Sequence, residues 1–454
     1  MRGDFIMWLG PPLRRKSPRL SRLRELGRDG EIISGLDVQR SPARRLTIIT
    51  QWFPPEQAPF GKMMAELGNG LAANGWDVTV VTGFPNHPQG SVFSGYRKRW
   101  STEEFVGPVR VVRVWLATFT HRALPARLAT FLTFTMTASW RLLIAPSPDV
   151  IFAVLQPLSV GITLPAIARL KKARLVFNIQ DLHPDAQIQL GMVRNRWLIR
   201  TLRAVEAYAY AHCAALTVIC DRFRQHVISR GAPSERVYLV ENWVDTERIR
   251  PQPAAAADFR RHHGLKDTDF VALWAGTIGH VSGSAAIIDA ARILQHHPAV
   301  HFLIVGEGPV RPSLVARAKA LGLGNVTFMP FQPESSLAAM QSCADVSLVT
   351  LMRGIAEVSV PSKVLSYFAA GRAVIASVPE DSETARMIRR AAAGVVVPAE
   401  DGEALAAAVE GAYCSRAATR QMGESARNFA VHNLSMEIAV QRYDSLLRNI
   451  CATK

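Results

Sequence analysis

The chain has 454 residues, 48% hydrophobic and 20% charged, which suits two or three globular domains that bury cores without covalent staples. Its five cysteines form no CxxC pair and are odd in number, which argues for reduced thiols and against a disulfide framework or a zinc site. The formal charge of +16 is uneven: residues 1–45 hold eleven Lys or Arg against five Asp or Glu, and so supply +6 of it.

Residues 1–44, dominated by LRRKSPRLSRLRELGR, have no apolar core of secretory-signal length and read as a disordered basic extension. Their charge suits an anionic membrane surface. No interleaving of aromatic and basic residues supports a specific nucleic-acid site, so no nucleic-acid partner is expected.

From residue 46 short apolar runs alternate with helical stretches. LTIIT (46–50) is a strand, followed by a helix from Gly61 to Asn74. DVTVVT (77–82) and VRVVRVW (109–115) are the next strands. LATFLTFTMTASW (128–140) is too short to cross a bilayer and is expected as a buried amphipathic helix, with a helix leaning on a membrane surface as the alternative. DVIFAVL (149–155), RLVFNI (174–179) and ALTVIC (215–220) continue the series. A linker is expected at 241–256, where proline, alanine and charge cluster. Six more strands follow in FVALWAG, VHFLIVG, NVTFMP, DVSLVTL, AVIAS and GVVVP, and helical segments close the chain. Strands separated by helices imply parallel sheets covered on both faces. The expectation is therefore α/β: a domain over 45–240, a second over 257–430, and a last helix, 431–454, that crosses back to the first.

Open parallel sheets bind ligands outside the carboxyl ends of their strands, and two such domains facing each other form a cleft. Several strands here end in VTGFPNHP, IQDLHPD, WAGTIG and IVGEG, where small residues let backbone N–H groups approach a phosphate. FGK at 60–62 lacks the first Gly and the hydroxyl residue of a phosphate loop, and no GxGxxG follows a strand. In VPSKVLSYFAAGRAV, Pro361 and Ser362 open a helix, with Lys363 in its first turn. A cation there opposes the helix dipole unless an anion such as a diphosphate docks on it. The histidine pairs His262–His263 and His296–His297 have no partners at ligand spacing and read as surface, and no metal site is expected.

Taken in order, FPPE…G, GFPNHP, NIQDLHPD, ENWVD, GTIG, VGEGP and VPSKVLSYFAAGRAVI resemble the retaining family 4 glycosyltransferases, in particular those that build bacterial exopolysaccharide and O-antigen units, the colanic-acid type among them. The resemblance covers residues 46–450. It implies the GT-B fold: two Rossmann-like domains with parallel sheets facing a central cleft, acceptor on the first and nucleotide-sugar on the second. It implies a UDP- or GDP-sugar donor, no metal or other cofactor, and a polyprenyl-diphosphate-linked saccharide as acceptor. The expected location is cytoplasmic, with peripheral contact at the inner face of the cytoplasmic membrane.

The residues that carry these roles follow from the matched motifs. Lys363 is expected to stabilise the leaving phosphate, with Asp181 and His183 on the acceptor hydroxyl. Gly276, Gly279, Gly306, Glu307, Arg353, Ser362, Val364 and Ser366 are expected to line the donor site, and Gly61 and Lys62 the acceptor site. The sequence departs from the family pattern at several points. Val358 and Ser366 stand where two glutamates are usual, with Glu357 one residue early. Ser282 precedes Gly283 where a Lys is common, and Gln180 stands where His often precedes the Asp. These departures keep two alternatives open, a nucleotide-sugar epimerase of the same fold and a non-catalytic scaffold.

Overall fold

The computed structural model describes residues 43–56, 58–120, 123–189, 193–354 and 362–452. The expectations for the extension before residue 43, and for Glu357, Val358 and Pro361, lie outside the described residues.

The N-terminal half forms an eight-stranded sheet from β1 (Arg45–Ile49), β2 (Asp77–Gly83), β3 (Ser101–Val106), β4 (Val109–Val114), β5 (Val150–Val154), β6 (Arg174–Ile179), β7 (Ala215–Val218) and β8 (Val237–Leu239), in the order β3-β4-β2-β1-β5-β6-β7-β8. Every described pairing is parallel except β3 with β4. The central strand β5, VIFAV, is buried at all five positions, as a strand covered on both faces must be. Two of these strands were missed in the sequence. β3 reads STEEFV, a polar edge strand folded back at Gly107, and β8 is three residues long.

Helices α1 (Pro59–Ala73), α2 (Leu124–Ile144), α3 (Val160–Lys171), α4 (Asp185–Gln189), α5 (Arg196–Ala211) and α6 (Asp221–Ser229) cover this sheet. One core joins α2, α3, α5 and α6 to the sheet face that carries Ile49, Val112 and Phe177. The other face, with Leu46, Ile48 and Phe152, receives α1 and a helix from the far end of the chain.

The C-terminal sheet has six parallel strands: β9 (Phe270–Ala275), β10 (Val300–Val305), β11 (Val326–Met329), β12 (Val346–Thr350), β13 (Ala373–Ser377) and β14 (Gly394–Val397). Their order, β11-β10-β9-β12-β13-β14, is the doubly wound 3-2-1-4-5-6 arrangement, whose direction reverses between β9 and β12. Around it lie α7 (Pro253–His262), α8 (Ala285–Ile293), α9 (Arg311–Ala320), α10 (Leu337–Ser342), α11 (Lys363–Ala369), α12 (Glu383–Arg390), α13 (Gly402–Cys414) and α14 (Arg416–Asn433). The last four residues of the expected linker, 253–256, begin α7, PAAAADFRRH. Pro253 occupies the first turn, where a missing N–H costs nothing, and Ala256 and Phe259 anchor the helix in the core.

The last helix, α15 (Met436–Ala452), returns to the first domain. Val440, Tyr443 and Leu447 enter its core beside α1, and Tyr443 meets Phe152 edge to face at 5.4 Å. The crossing is tied at residue 244, whose N–H donates to the Leu434 carbonyl.

Candidate active site

The carboxyl ends of the two sheets face each other. Lys62, in the first turn of α1 after β1, forms an ion pair with Glu334, which follows β11 in the other domain, and Arg248 of the connecting segment joins the same carboxylate. The cleft between them is the site to which the motifs point.

On its C-terminal wall the switch point between β9 and β12 holds Lys363. The Lys363 ammonium lies 3.8 Å from the ring centre of Trp274, a residue of β9 that is fully buried and donates from its indole N–H to Thr350 on β12. Tyr367 bolts the same helix to the same strand, with its hydroxyl accepting from the Ala275 N–H at 2.9 Å. Gly276 leaves room for the ammonium: a Cβ there would stand 3.2 Å from Lys363 Nζ. Among the described residues no carboxylate pairs with Lys363. The residue keeps partial exposure, but desolvation of the ammonium brings its pKa from 10.5 down to about 7.

The other expected donor residues fall into three groups. Gly279 and Ser362 line open space: nothing lies within 4 Å of a Cβ at Gly279, and Ser362 is exposed at the start of α11. Gly306 is a glycine for a packing reason, since a Cβ would lie 1.8 Å from the Gly276 carbonyl oxygen and φ is +148°. The remainder have side chains buried or drawn to other protein groups. Val364 is buried in the domain core, so only its backbone is available. The Ser366 hydroxyl is already engaged, donating to the Lys363 carbonyl at 2.9 Å and accepting from Gln341 at 2.8 Å. Arg353 donates from Nε to the Ala399 carbonyl, and Glu307 is exposed with Arg311 at 3.8 Å. Ser282, in the usual lysine position, is buried and donates to the Gly279 carbonyl at 2.7 Å, which folds the loop after β9.

On the N-terminal wall, Asp181 and His183 follow β6. His183 Nε2 lies 4.0 Å from Asp181, and its Nδ1 is bonded to Gln187. The Nε2 atom is buried and makes no hydrogen bond among the described residues. Burial raises the Asp181 carboxyl above its ordinary value, and His183 counters it. Asp185, by contrast, accepts from Arg230 at 2.6 Å and Arg203 at 3.2 Å. Burial alone would raise it, but these cations hold it below the usual range, in a structural ion pair.

Gly61 lets α1 start against the FPPE loop, since a Cβ would lie 3.0 Å from the Trp52 carbonyl. Lys62, expected at the acceptor site, is held by Glu334.

Sequence reasoning also missed the supports of these loops. Glu56 of FPPE accepts from the N–H groups of Asn86 and His87, each at 2.9 Å, and so joins the loop after β1 to that after β2. A buried chain runs from Tyr443 through Asn178 and Gln180 to Asn242, linking NIQD to ENWVD. The clue was present, because Asn and Gln inside an apolar strand register need partners.

Away from the cleft, the pair His296–His297 does acquire a partner. His297 Nε2 lies 2.7 Å from Glu410 of α13, and the ligand atoms of all three residues fall within 4.8 Å of one another. The buried cysteines Cys213, Cys220 and Cys343 have thiols pushed up to about 12 by desolvation.

Two family models match the chain in tandem: the glycosyl transferase 4-like domain over residues 60–243 and the glycosyl transferases group 1 over 256–429. The chain is 27% identical to the putative colanic acid biosynthesis glycosyl transferase WcaI of Escherichia coli K12, over 87% of this chain and 98% of that one. Among solved structures it superposes on sucrose-phosphate synthase from Thermosynechococcus elongatus with a TM-score of 0.70 at 18% identity, covering 90% of this chain and 100% of the other. It superposes on Anabaena HepE in complex with UDP with a TM-score of 0.66 at 15% identity, covering 89% and 100%.

Proposed function

The chain belongs to the family 4 glycosyltransferases of the GT-B fold, enzymes that use nucleotide-sugar donors, and on that premise we propose that it transfers a sugar, with retention of configuration, to a lipid-linked saccharide diphosphate. The observation that carries this reading is Lys363, a cation at the Rossmann switch point with an aromatic platform and no carboxylate partner among the described residues. An ammonium desolvated in this way is stabilised by an arriving diphosphate, and more so as the glycosidic bond breaks and negative charge grows on the leaving oxygen.

The other wall supplies the acceptor chemistry. Asp181 accepts a hydrogen bond from the acceptor hydroxyl, and the neighbouring His183 offsets the effect of burial on that carboxyl. The proton passes to the departing phosphate or to Asp181, and the acceptor oxygen bonds to the sugar carbon from the face the phosphate leaves. Lys62 meets an acceptor diphosphate only by releasing Glu334. The lipid-linked acceptor draws support from the colanic acid biosynthesis named in the WcaI relative's description, and the donor from the UDP in the superposed HepE complex.

The test is a thermal-shift panel of nucleoside diphosphates and their sugars, followed by turnover. The preferred nucleotide raises Tm. Lys363→Ala, with its circular dichroism unchanged, lowers kcat by about 10²–10³-fold, the usual cost of one such donor. Wild-type turnover by that variant removes Lys363 from the mechanism, and an inverted anomeric signal in the product's NMR spectrum removes retention.

A further inference from the structure

The pair His296–His297 sits where two packed elements meet. α8 runs on into one turn of 3-10 helix, Leu294–His296, and His297 lies just past it. Pro298 follows, and the residue before a proline is driven out of the helical region. His297 accordingly leaves the helix at φ −102° and ψ 87°. Successive residues of an unbroken helix point their rings apart. This break turns the two rings together, with centres 4.1 Å apart.

The third member comes from α13. Leu405, Ala406 and Val409 of that helix share a core with Ile287, Ile288 and Leu294. Gly402 lets α13 start against α8, since a Cβ there would strike the Asp289 side chain. Glu410 and Tyr413, three positions apart on α13 and so on one face, look toward the histidine turn. Glu410 accepts from His297 Nε2 at 2.7 Å, and the Tyr413 ring centre stands 5.7 Å from that of His297. A buried core thus fixes the backbone of both halves of the cluster.

The donor atoms select the kind of ion. His296 Nδ1 donates to the Ile293 carbonyl at 2.8 Å, which holds the ring in place and leaves its other nitrogen with a lone pair. One nitrogen from each ring and a carboxylate oxygen lie within 4.8 Å of one another. Tetrahedral bonds of ~2.1 Å put such donors ~3.4 Å apart, so side-chain shifts of about 1 Å bring them onto one ion. His296 is exposed, and His297 and Glu410 are half-buried, so solvent reaches the cluster and can fill the remaining positions. Two imidazoles and a carboxylate suit Zn²⁺ and its transition-metal neighbours, whereas Mg²⁺ and Ca²⁺ favour sets made of oxygen.

We infer that His296, His297 and Glu410 bind a divalent transition-metal ion that clips α13 to the turn leading into β10. The ion replaces the proton His297 shares with Glu410, and the ring then carries its proton on Nδ1. The cluster lies before the amino end of β10, whereas Gly306 and the cleft lie beyond its carboxyl end. The ion therefore acts on the stability of the second domain and not on sugar transfer. It joins His297 to a residue 113 positions away, and a cross-link closing so long a loop restricts the unfolded chain. Nothing in this inference depends on the donor or acceptor readings.

The experiment is calorimetric titration of the untagged full chain, stripped with EDTA, against ZnCl2, with Tm measured alongside. The wild type takes up Zn²⁺ at this site with a Kd below about 100 μM. Saturating Zn²⁺ raises Tm by about 2–4 °C, and EDTA reverses the rise. MgCl2 at the same concentration does neither. His297→Ala and Glu410→Gln each weaken uptake at least tenfold and remove the Tm rise. Glu410→Gln keeps an acceptor for His297, so its metal-free Tm matches the wild type and the loss is one of ligation, not of folding. With Cu²⁺ as the probe, electron paramagnetic resonance shows two nitrogen donors in the wild type and one in His296→Ala. His262→Ala/His263→Ala, which removes the other adjacent pair, leaves the titration unchanged. The inference is overturned if the wild type shows no saturable uptake, or if MgCl2 gives the same shift. It is equally overturned if both His297→Ala and Glu410→Gln titrate like the wild type, or if the His262/His263 variant loses the uptake, which would assign it to that pair.

Discussion

Lys363 illustrates how a residue that looks unfavourable in isolation becomes intelligible in its surroundings. A cation in the first turn of α11 works against the helix dipole, and burial against Trp274 brings its pKa down to about 7. Between that value and its ordinary 10.5 the unfolded chain holds the proton and the folded one releases it, so stability rises with pH across this window and the full cost is present below it. A bound diphosphate reverses the shift by favouring the charged form. Binding at pH 8 is therefore accompanied by uptake approaching one proton, and calorimetry in buffers of different ionisation enthalpy reads it directly. Lys363→Arg, permanently charged, removes that uptake. Equal proton uptake by both proteins would place the titrating group elsewhere.

At the scale of elements, α15 depends on side chains more than on helix propensity. Tyr443 fills the first domain's core and its hydroxyl accepts from Asn178 at 3.0 Å. Tyr443→Phe leaves a buried Asn amide short of one partner and should cost about 1–3 kcal/mol. Tyr443→Ala adds a cavity and should cost about 3–5 kcal/mol, as large-to-small core changes do. Urea unfolding of the two variants separates these terms, and near-wild-type midpoints for both would show that α15 is not integral to the first domain. The same helix shows what sequence could and could not provide. Continuous apolar runs such as VIFAV and FVALWA announced buried parallel strands because both faces of such a strand must be covered. STEEFV gave no such signal, because an edge strand needs only one partner and tolerates charge. Lys363, Asp181 and Gly276 could be nominated from the sequence because loop chemistry at strand ends is local in sequence. The Trp274 platform and the Glu334 bridge were not, since each joins residues tens or hundreds of positions apart. In the helix at 128–140 the sequence left open which apolar residues face inward, because periodicity reports an apolar row and not its direction; Phe134, Ala138 and Leu142 are the buried ones.

For the whole molecule, the two walls are held in register by charge across the cleft. Glu334 of the second domain accepts from Lys62 of the first and from Arg248 between them, and these cations hold its carboxyl below the ordinary range. Farther along, Arg222 of α6 approaches Asp381 at 3.6 Å and donates its backbone N–H to Glu383. All of these pairs are at least partly exposed, so each contributes little to stability, and they act instead as contacts that a ligand can exchange. Glu334→Gln frees Lys62 and should lower KM for an anionic acceptor several-fold with kcat little changed. A KM unchanged by that substitution would mean that Lys62 does not meet the acceptor. The central claim concerns the opposite wall, and a crystal structure with the nucleoside diphosphate that raises Tm most tests it directly. The account predicts the diphosphate within hydrogen-bond reach of Lys363 Nζ, over Gly279 and the first turn of α11. A diphosphate bound elsewhere, with Lys363 still resting on Trp274 and no anion beside it, would contradict it.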